Sequence, residues 1–206
     1  MKTSSEKSLE KILKTAALEF SRKGFAGARM DEIAENAKVN KASIYYHVGD
    51  KEALYARVLS TFIGTALESI IEAVPDLNDP VKALTTLANV LEEHFRKNPL
   101  MPRIMMRELA DGGERLPVQM KQDVTRLVEL EGRIIRDGFK KGVFMEINPL
   151  NFHFMMLGSI IMLQVTEQVR KRIFSGSNSE NVKKISQDIR RTSEFIVNSI
   201  LKGKSS

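Results

Sequence analysis

The stretch from Met30 to Lys51 constrains the fold of this chain more than any other. It reads Met-Asp-Glu-Ile-Ala-Glu-Asn-Ala, then Lys38-Val39-Asn40, then Lys-Ala-Ser-Ile-Tyr-Tyr-His-Val, then Gly49-Asp50-Lys51. Met30, Ile33, Ala34 and Ala37 recur at i, i+3, i+4 and i+7, which predicts one apolar helical face. Ile44 and Val48 stand one turn apart in the second segment and can pack on that face. Lys41, Ser43, Tyr45, Tyr46 and His47 are left over the remaining surface. Asn40 suits the N-cap of the second helix, Gly49 the left-handed position that ends it, and Asp50 the cap of whatever follows. Two short helices with a three-residue link make a helix-turn-helix, a motif whose second helix enters the DNA major groove.

Ile33-Ala34, the turn ending in Val39, the run Ile44-Tyr45-Tyr46-His47-Val48 and the following Lys51-Glu52-Ala53-Leu54 resemble the TetR family of bacterial repressors. The resemblance covers about residues 5 to 60; beyond them the chain is similar only in length and helical character. Three positions depart from the family pattern: Ala28-Arg29 stands where Thr or Ser is usual, Lys38 where Gly is usual, and Val48 where Phe is usual. The resemblance implies DNA contacts at Lys41, Ser43, Tyr45, His47 and Lys51. The chemistry of the residues adds Tyr46, whose hydroxyl and ring can meet bases, and Arg29, whose guanidinium can clamp a phosphate. Lys51 falls in the first turn of the next helix, where backbone N–H groups already favour a phosphate.

Composition bounds the rest. The chain has 206 residues, 42 % of them hydrophobic, enough for a real core in one large domain or two small ones. Its net charge of +6 is compatible with a nucleic-acid partner. Cysteine is absent, which excludes a disulfide framework, a thiol nucleophile and a Cys-based zinc site. His47, His94 and His153 are far apart, with no metal-ligand pair, no Gly-rich phosphate loop and no nucleophile beside a base, so neither a metal, nor a cofactor, nor an enzyme is expected. Residues 1 to 20 are amphipathic and charged throughout, unlike a signal peptide. The longest apolar stretch, Phe152 to Val165, is interrupted by His153 and Gln164 and falls short of the ~18 residues of a membrane span. A cytoplasmic protein with no membrane partner is the expectation.

Along the chain, Leu9, Ile12, Leu13, Ala16, Ala17 and Phe20 form the stripe of a first helix, with Thr3 and Glu6 at capping-box spacing and Gly24 as its end. Phe25 is expected to seal the base of the head. Helices are then predicted from about Asp50 to Val74, Val81 to Lys97, a short one reaching Ala110, Val118 to Lys141, Leu150 to Ile173, and Glu180 to Leu201. Gly64, inside the first of these, predicts a bend or a close contact. No strand is expected. The fold class is therefore all-α: a helix-turn-helix head over residues 1–50 and a six-helix body for effector binding and dimerisation over residues 51–206.

A head with one recognition helix reads few base pairs, so a specific site calls for two heads on a palindrome. The helix at 150–173 is apolar nearly all round, which calls for burial on more than one side. A homodimer through residues 150–173 and 180–201 is expected, with Gly158-Ser159 allowing close approach. Glu108 and Glu131 fall on apolar helix faces, and His153 lies between Phe152 and Phe154. Met105, Glu108, Glu131, Phe152 and Met156 are the candidate lining of a small-molecule effector pocket, methionine being adaptable to many ligand shapes. Buried carboxylates without partners would favour a cationic effector. The alternative is an internal pairing of either glutamate with Arg103, Arg107 or Arg133 and of His153 with a backbone carbonyl. The reading overall is a repressor that binds a palindromic operator as a dimer and is released by a hydrophobic effector. A purely architectural DNA-binding protein would not need the methionine-rich body, and a helical scaffold would not need the head.

Overall fold

The computed structural model describes residues 3–74, 78–174 and 192–203. It contains α1 (Ser4–Gly27), α2 (Met30–Ala37), α3 (Lys41–His47), α4 (Lys51–Ala73), α5 (Pro80–Lys97), α6 (Met101–Ala110), α7 (Val118–Lys140), α8 (Pro149–Val165), α9 (Glu167–Phe174) and α10 (Thr192–Asn198). The chain is all-α; among the described residues the extended pairing is limited to an isolated antiparallel bridge between Phe144 and Leu201. Two compact units emerge: Met1–Thr65 with Leu100–Gln122, and Ala66–Pro99 with Asp123–Ser206. Helices α4 and α7 each pass from one unit into the other along the chain.

In the first unit, α1 begins with a complete capping box. The Thr3 hydroxyl accepts from the Glu6 N–H, and the Glu6 carboxylate accepts from the Thr3 N–H. Gly24, at φ +70, kinks α1 instead of ending it, and one further turn runs to Gly27. Ile12, Ala16 and Phe20 of α1 are buried with Ile33, Ala34 and Ala37 of α2, Ile44 of α3, Leu54, Val58 and Leu59 of α4, and Ile104 and Met105 of α6. Two-helix motifs this short bury too little surface alone, and α1, α4 and α6 supply the missing walls. Phe25 does close the base: it stacks on Phe20 at 6.3 Å, and Tyr55 meets both rings edge-on at 4.8 and 5.2 Å.

The second unit packs α5, α8 and α10 pairwise around Leu84, Leu87, Leu91, Phe95, Phe152, Met156, Ile160, Ile196 and Val197. Asp79 caps α5 through the Lys82 N–H at 3.0 Å, and Pro80 occupies the first turn, where its missing donor costs nothing. Helix α7 ends in a Schellman motif on Gly142 (φ +72). The Val143 N–H reaches Gly138 O and the Gly142 N–H reaches Phe139 O. That turn drives Phe144 back over Gly138, and the bridge to the C-terminal segment fixes it there: Met145 N–H to Ile200 O at 2.8 Å, Lys202 N–H to Val143 O at 2.9 Å. Ser193 of α10 donates to Glu92 of α5 through both its hydroxyl and its N–H.

The segment expected as one helix from Leu150 to Ile173 is two, α8 and α9, bent by 57°. The break is at Thr166, whose hydroxyl back-bonds to Met162 O at 2.6 Å, a contact that bends helices. The Arg170 guanidinium then takes Leu163 O, so the freed carbonyls keep donors. Apolar periodicity carries no mark of such a side-chain exchange. The predicted last helix is present as α10; its part from 180 to 191 lies outside the described residues. Gly64 lies within a continuous α4 and has nothing within 4 Å of the position a Cβ would take, so the expected close contact is absent among the described residues.

One polar pair lies inside the second unit. Glu131 of α7 and His153 of α8 are both buried, with His153 Nδ1 at 3.1 and 3.2 Å from the two carboxylate oxygens. One proton between them suffices, donated by Nδ1–H to a carboxylate or by the carboxyl O–H to the imidazole. Burial pushes the Glu131 carboxyl above its usual range, against the pull of His153 in the other direction.

A methyl group at residue 138 would fall far inside contact distance of the Phe144 ring, so Gly138→Ala should lower the unfolding free energy by about 2 kcal/mol or more in a denaturant titration. Glu131→Ala leaves His153 buried without its partner and should cost about 3 kcal/mol, with Glu131→Gln costing less. Because the folded state holds the Glu131 proton more tightly than the unfolded chain, this group's contribution is full below the ordinary carboxylate pKa. It is lost as pH rises through the raised one. Thermal melts of wild type and Glu131→Gln between about pH 4 and pH 8 should show the wild type losing ground relative to the variant as pH rises.

Candidate nucleic-acid interface

The turn between α2 and α3 is a second Schellman motif, with Lys38 N–H to Glu35 O at 3.0 Å and Val39 N–H to Ala34 O at 3.1 Å. Its left-handed residue is Lys38, at φ 55 and ψ 46, the one non-glycine residue with positive φ among those described. The family habit of glycine at this position thus has a backbone reason. Lysine holds the same conformation at a cost of about 1 kcal/mol. The Asn40 side chain accepts from the Ala42 N–H at 2.9 Å, starting α3. Gly49 ends it with φ +103, and the Asp50 carboxylate accepts from the Ala53 N–H at 2.8 Å, starting α4. Ile44 is the anchor that fixes the rotation of α3, being fully buried.

With that face inward, α3 turns its polar groups outward. Tyr46 is 86 % exposed and Tyr45 47 %, so neither is held in the core. The Tyr46 ring meets His47 edge-on at 5.4 Å, and His47 and Ser43 are half-buried at its sides. Lys41 is exposed but engaged, its ammonium 2.6 Å from Asp31 of α2. This pair, ten residues apart across the turn, was not foreseen, although an acidic first turn in α2 facing a basic start of α3 is legible once the turn is drawn. Asp31 raises the Lys41 pKa by hydrogen bonding. Arg29 is exposed at the start of α2 and makes no side-chain cap there.

Lys51 is less free than its place in the first turn of α4 suggests. Its ammonium donates to Ala26 O at 3.2 Å and lies 4.7 Å from the Phe25 ring centre, with the Arg115 guanidinium at the same distance from that ring. A phosphate at this helix start would meet a lysine already ordered against α1.

The five residues expected around an effector are all buried, but in two separate units. Met105 and Glu108 belong to the first, Glu131, Phe152 and Met156 to the second. The carboxylates carry internal partners. Glu108 accepts from the Tyr55 hydroxyl at 3.0 Å and from the Arg115 N–H at 2.7 Å; Glu131 is joined to His153. Burial, then the charge of Glu108, pushes the Tyr55 hydroxyl well above its ordinary pKa and keeps it a donor. The partners are therefore a phenol, a backbone amide and an imidazole, in place of the arginine side chains or backbone carbonyl weighed from sequence. Neither carboxylate awaits a counter-charge, which removes the argument for a cationic effector.

Comparison with known proteins bears on this arrangement directly. Residues 12–58 match the profile of bacterial regulatory proteins of the tetR family, and residues 80–197, more than half the chain, that of the tetracyclin repressor-like C-terminal domain. The HTH-type transcriptional repressor NicS of Pseudomonas putida is 29 % identical over 159 residues, spanning 75 % of this chain and 74 % of NicS. The HTH-type transcriptional regulator RutR of Escherichia coli is 27 % identical over 186 residues, spanning 85 % and 87 %. The crystal structure of HlyIIR, a hemolysin II transcriptional regulator, shares the fold with a TM-score of 0.71 at 23 % identity, over 97 % of this chain and all of that one. With its helix-turn-helix and its helical C-terminal region both matched, the chain belongs to the TetR family of bacterial regulatory proteins, DNA-binding transcriptional regulators and not enzymes.

Proposed function

We propose that this regulator represses by binding a palindromic operator as a homodimer, and that a small hydrophobic effector held in residues 51–206 releases it. In this reading residues 1–50 are the DNA-binding domain, working on double-stranded DNA in the cytoplasm, and Arg29, Lys41, Ser43, Tyr45, Tyr46, His47 and Lys51 make the contacts. The observation that carries the reading is the exposed face of α3. Two tyrosines stand in solvent beside Lys41, an arrangement that serves no core and offers donors, acceptors and rings to a groove.

The dimer is supported by α8. Leu150, Phe154 and Met162 stand exposed in steps of four and eight residues, Phe154 to 60 %, with Met155 beside them. Gly158 continues the same ridge and has open space where a Cβ would be, which would let a second backbone approach. Phe195 of α10 is also exposed. An apolar ridge of this kind on one helix marks an interaction surface, and a two-fold pairing of it brings together two heads. An effector held in the body and coupled to the operator site by about 1–3 kcal/mol would change operator affinity 5- to 150-fold.

Two measurements test this reading. In fluorescence anisotropy with a palindromic operator, Tyr46→Ala should cost about 1–3 kcal/mol on the operator and little on scrambled DNA. Equal wild-type affinity for operator and scrambled DNA at physiological salt would remove the specific-repressor reading. In sedimentation velocity, the wild type should run as a dimer and Phe154→Glu as a folded monomer. A monomeric wild type at micromolar concentration would refute the interface.

A further inference from the structure

The second unit carries a half-open cleft of about 540 Å³ along α4 and α7, a size typical of small-ligand sites. Arg126, Arg133 and Arg136 line it, Leu67, Ile71 and Leu130 provide its apolar surface, and Glu129 is its one carboxylate. None of the five residues expected above around an effector lines it, so this site goes beyond the function just proposed.

The charges follow from helical spacing. Residues 126, 129, 133 and 136 fall at i, i+3, i+7 and i+10, one stripe of α7. Glu129 stands four residues before Arg133 and three after Arg126, spacings at which helix ion pairs form. Yet among the described residues neither pair closes within 4 Å, and Arg133 and Arg136 have no acidic partner. Arg126 alone is tethered, to Asp123 at 3.7 Å. Three cations against one anion leave the lining at +2, and like charges so spaced on a helix repel. The same stripe borders Ile71, which is 58 % exposed, and Leu67, which is buried. A neutral apolar molecule here would strip water from guanidinium groups and return nothing. A bare inorganic anion would satisfy the arginines and leave the aliphatic surface wet.

We propose that this cleft binds an amphiphilic oxyanion, a carboxylate or phosphate monoester borne on a hydrocarbon chain. The head engages the Arg133 and Arg136 guanidiniums, whose planar forks match such oxygens two at a time. The chain lies along Ile71, Leu67 and Leu130, where each buried methylene contributes about 0.8 kcal/mol.

Isothermal titration of the full chain with decanoate, decyl phosphate, decanol, acetate and inorganic phosphate tests this. Decanoate or decyl phosphate should bind with one site per chain, the tighter of the two naming the head. Acetate, inorganic phosphate and decanol should each bind at least about tenfold more weakly than their amphiphilic counterparts. The Arg133→Gln/Arg136→Gln double variant should lose at least about tenfold in affinity, and Ile71→Ser should lose severalfold for the amphiphiles while leaving inorganic phosphate unchanged. All three substituted positions are exposed, so thermal melts should match wild type; if the double variant melts early, Ile71→Ser and Arg136→Gln alone carry the test. Absence of binding by both amphiphiles, decanol binding as tightly as decanoate, or unchanged affinity in the variants overturns the site. Operator affinity is read in a separate assay, so failure of the repressor reading and failure of this one are distinguishable.

Discussion

The head of this protein rests on the contact between Tyr55 and the aromatic base of α1. Helices of eight and seven residues form the DNA-binding motif, and their own apolar faces are too narrow to exclude water. Phe20 and Phe25 extend that surface, and Tyr55 from α4 closes it edge-on while its hydroxyl reaches Glu108 of α6. One side chain thus gives apolar area at its ring and a hydrogen bond at its tip, the combination that lets tyrosine bridge a core and a polar group. Arg107 of α6 adds a hydrogen bond to Arg22 O at 3.3 Å, at the end of α1. The motif is held by segments far from it in sequence.

The buried carboxylates show how the fold handles charge that its sequence places on apolar faces. Glu108 and Glu131 are each almost fully enclosed, and an ionised carboxylate left alone there would be costly. Each is met by donors suited to its unit. Glu108 has a phenol and a backbone N–H, both of which donate to it. Glu131 has an imidazole, which leaves the position of the proton to the balance of burial against attraction.

Much of this was legible in the sequence because the signals are local. Caps at Thr3, Asn40 and Asp50, the apolar faces of α2 and α5, and the family's motif all act within a few residues, and each is found where the spacing puts it. What escaped is non-local or made by side chains. The Glu131–His153 pair joins residues 22 apart, Tyr55–Glu108 joins residues 53 apart, and no periodicity encodes either. The bend at Thr166 depends on a hydroxyl and a guanidinium meeting carbonyls inside an unbroken apolar pattern. The outward residues of the recognition helix were legible as a set, since Ile44 fixes which way α3 faces. The pairing of Lys41 with Asp31 and the anchoring of Lys51 on Phe25 were not, because both require the turn to be built first.

The way the two units share the chain has a consequence for biosynthesis. The first unit takes its last segment from residues 100–122, so its core has every strip of chain it needs once Gln122 has been made. The second cannot close so early, because Met145 and Val143 bond to Ile200 and Lys202 and because Ser193 fastens α10 to Glu92. As synthesis proceeds from the N-terminus, segments tend to fold as their partners emerge. The DNA-reading unit can therefore assemble on the ribosome while α5 and α8 still expose apolar faces that wait for the last dozen or so described residues. A chain stalled before them would present a finished head on an unfinished body, with Leu84, Leu91 and Phe95 open to aggregation.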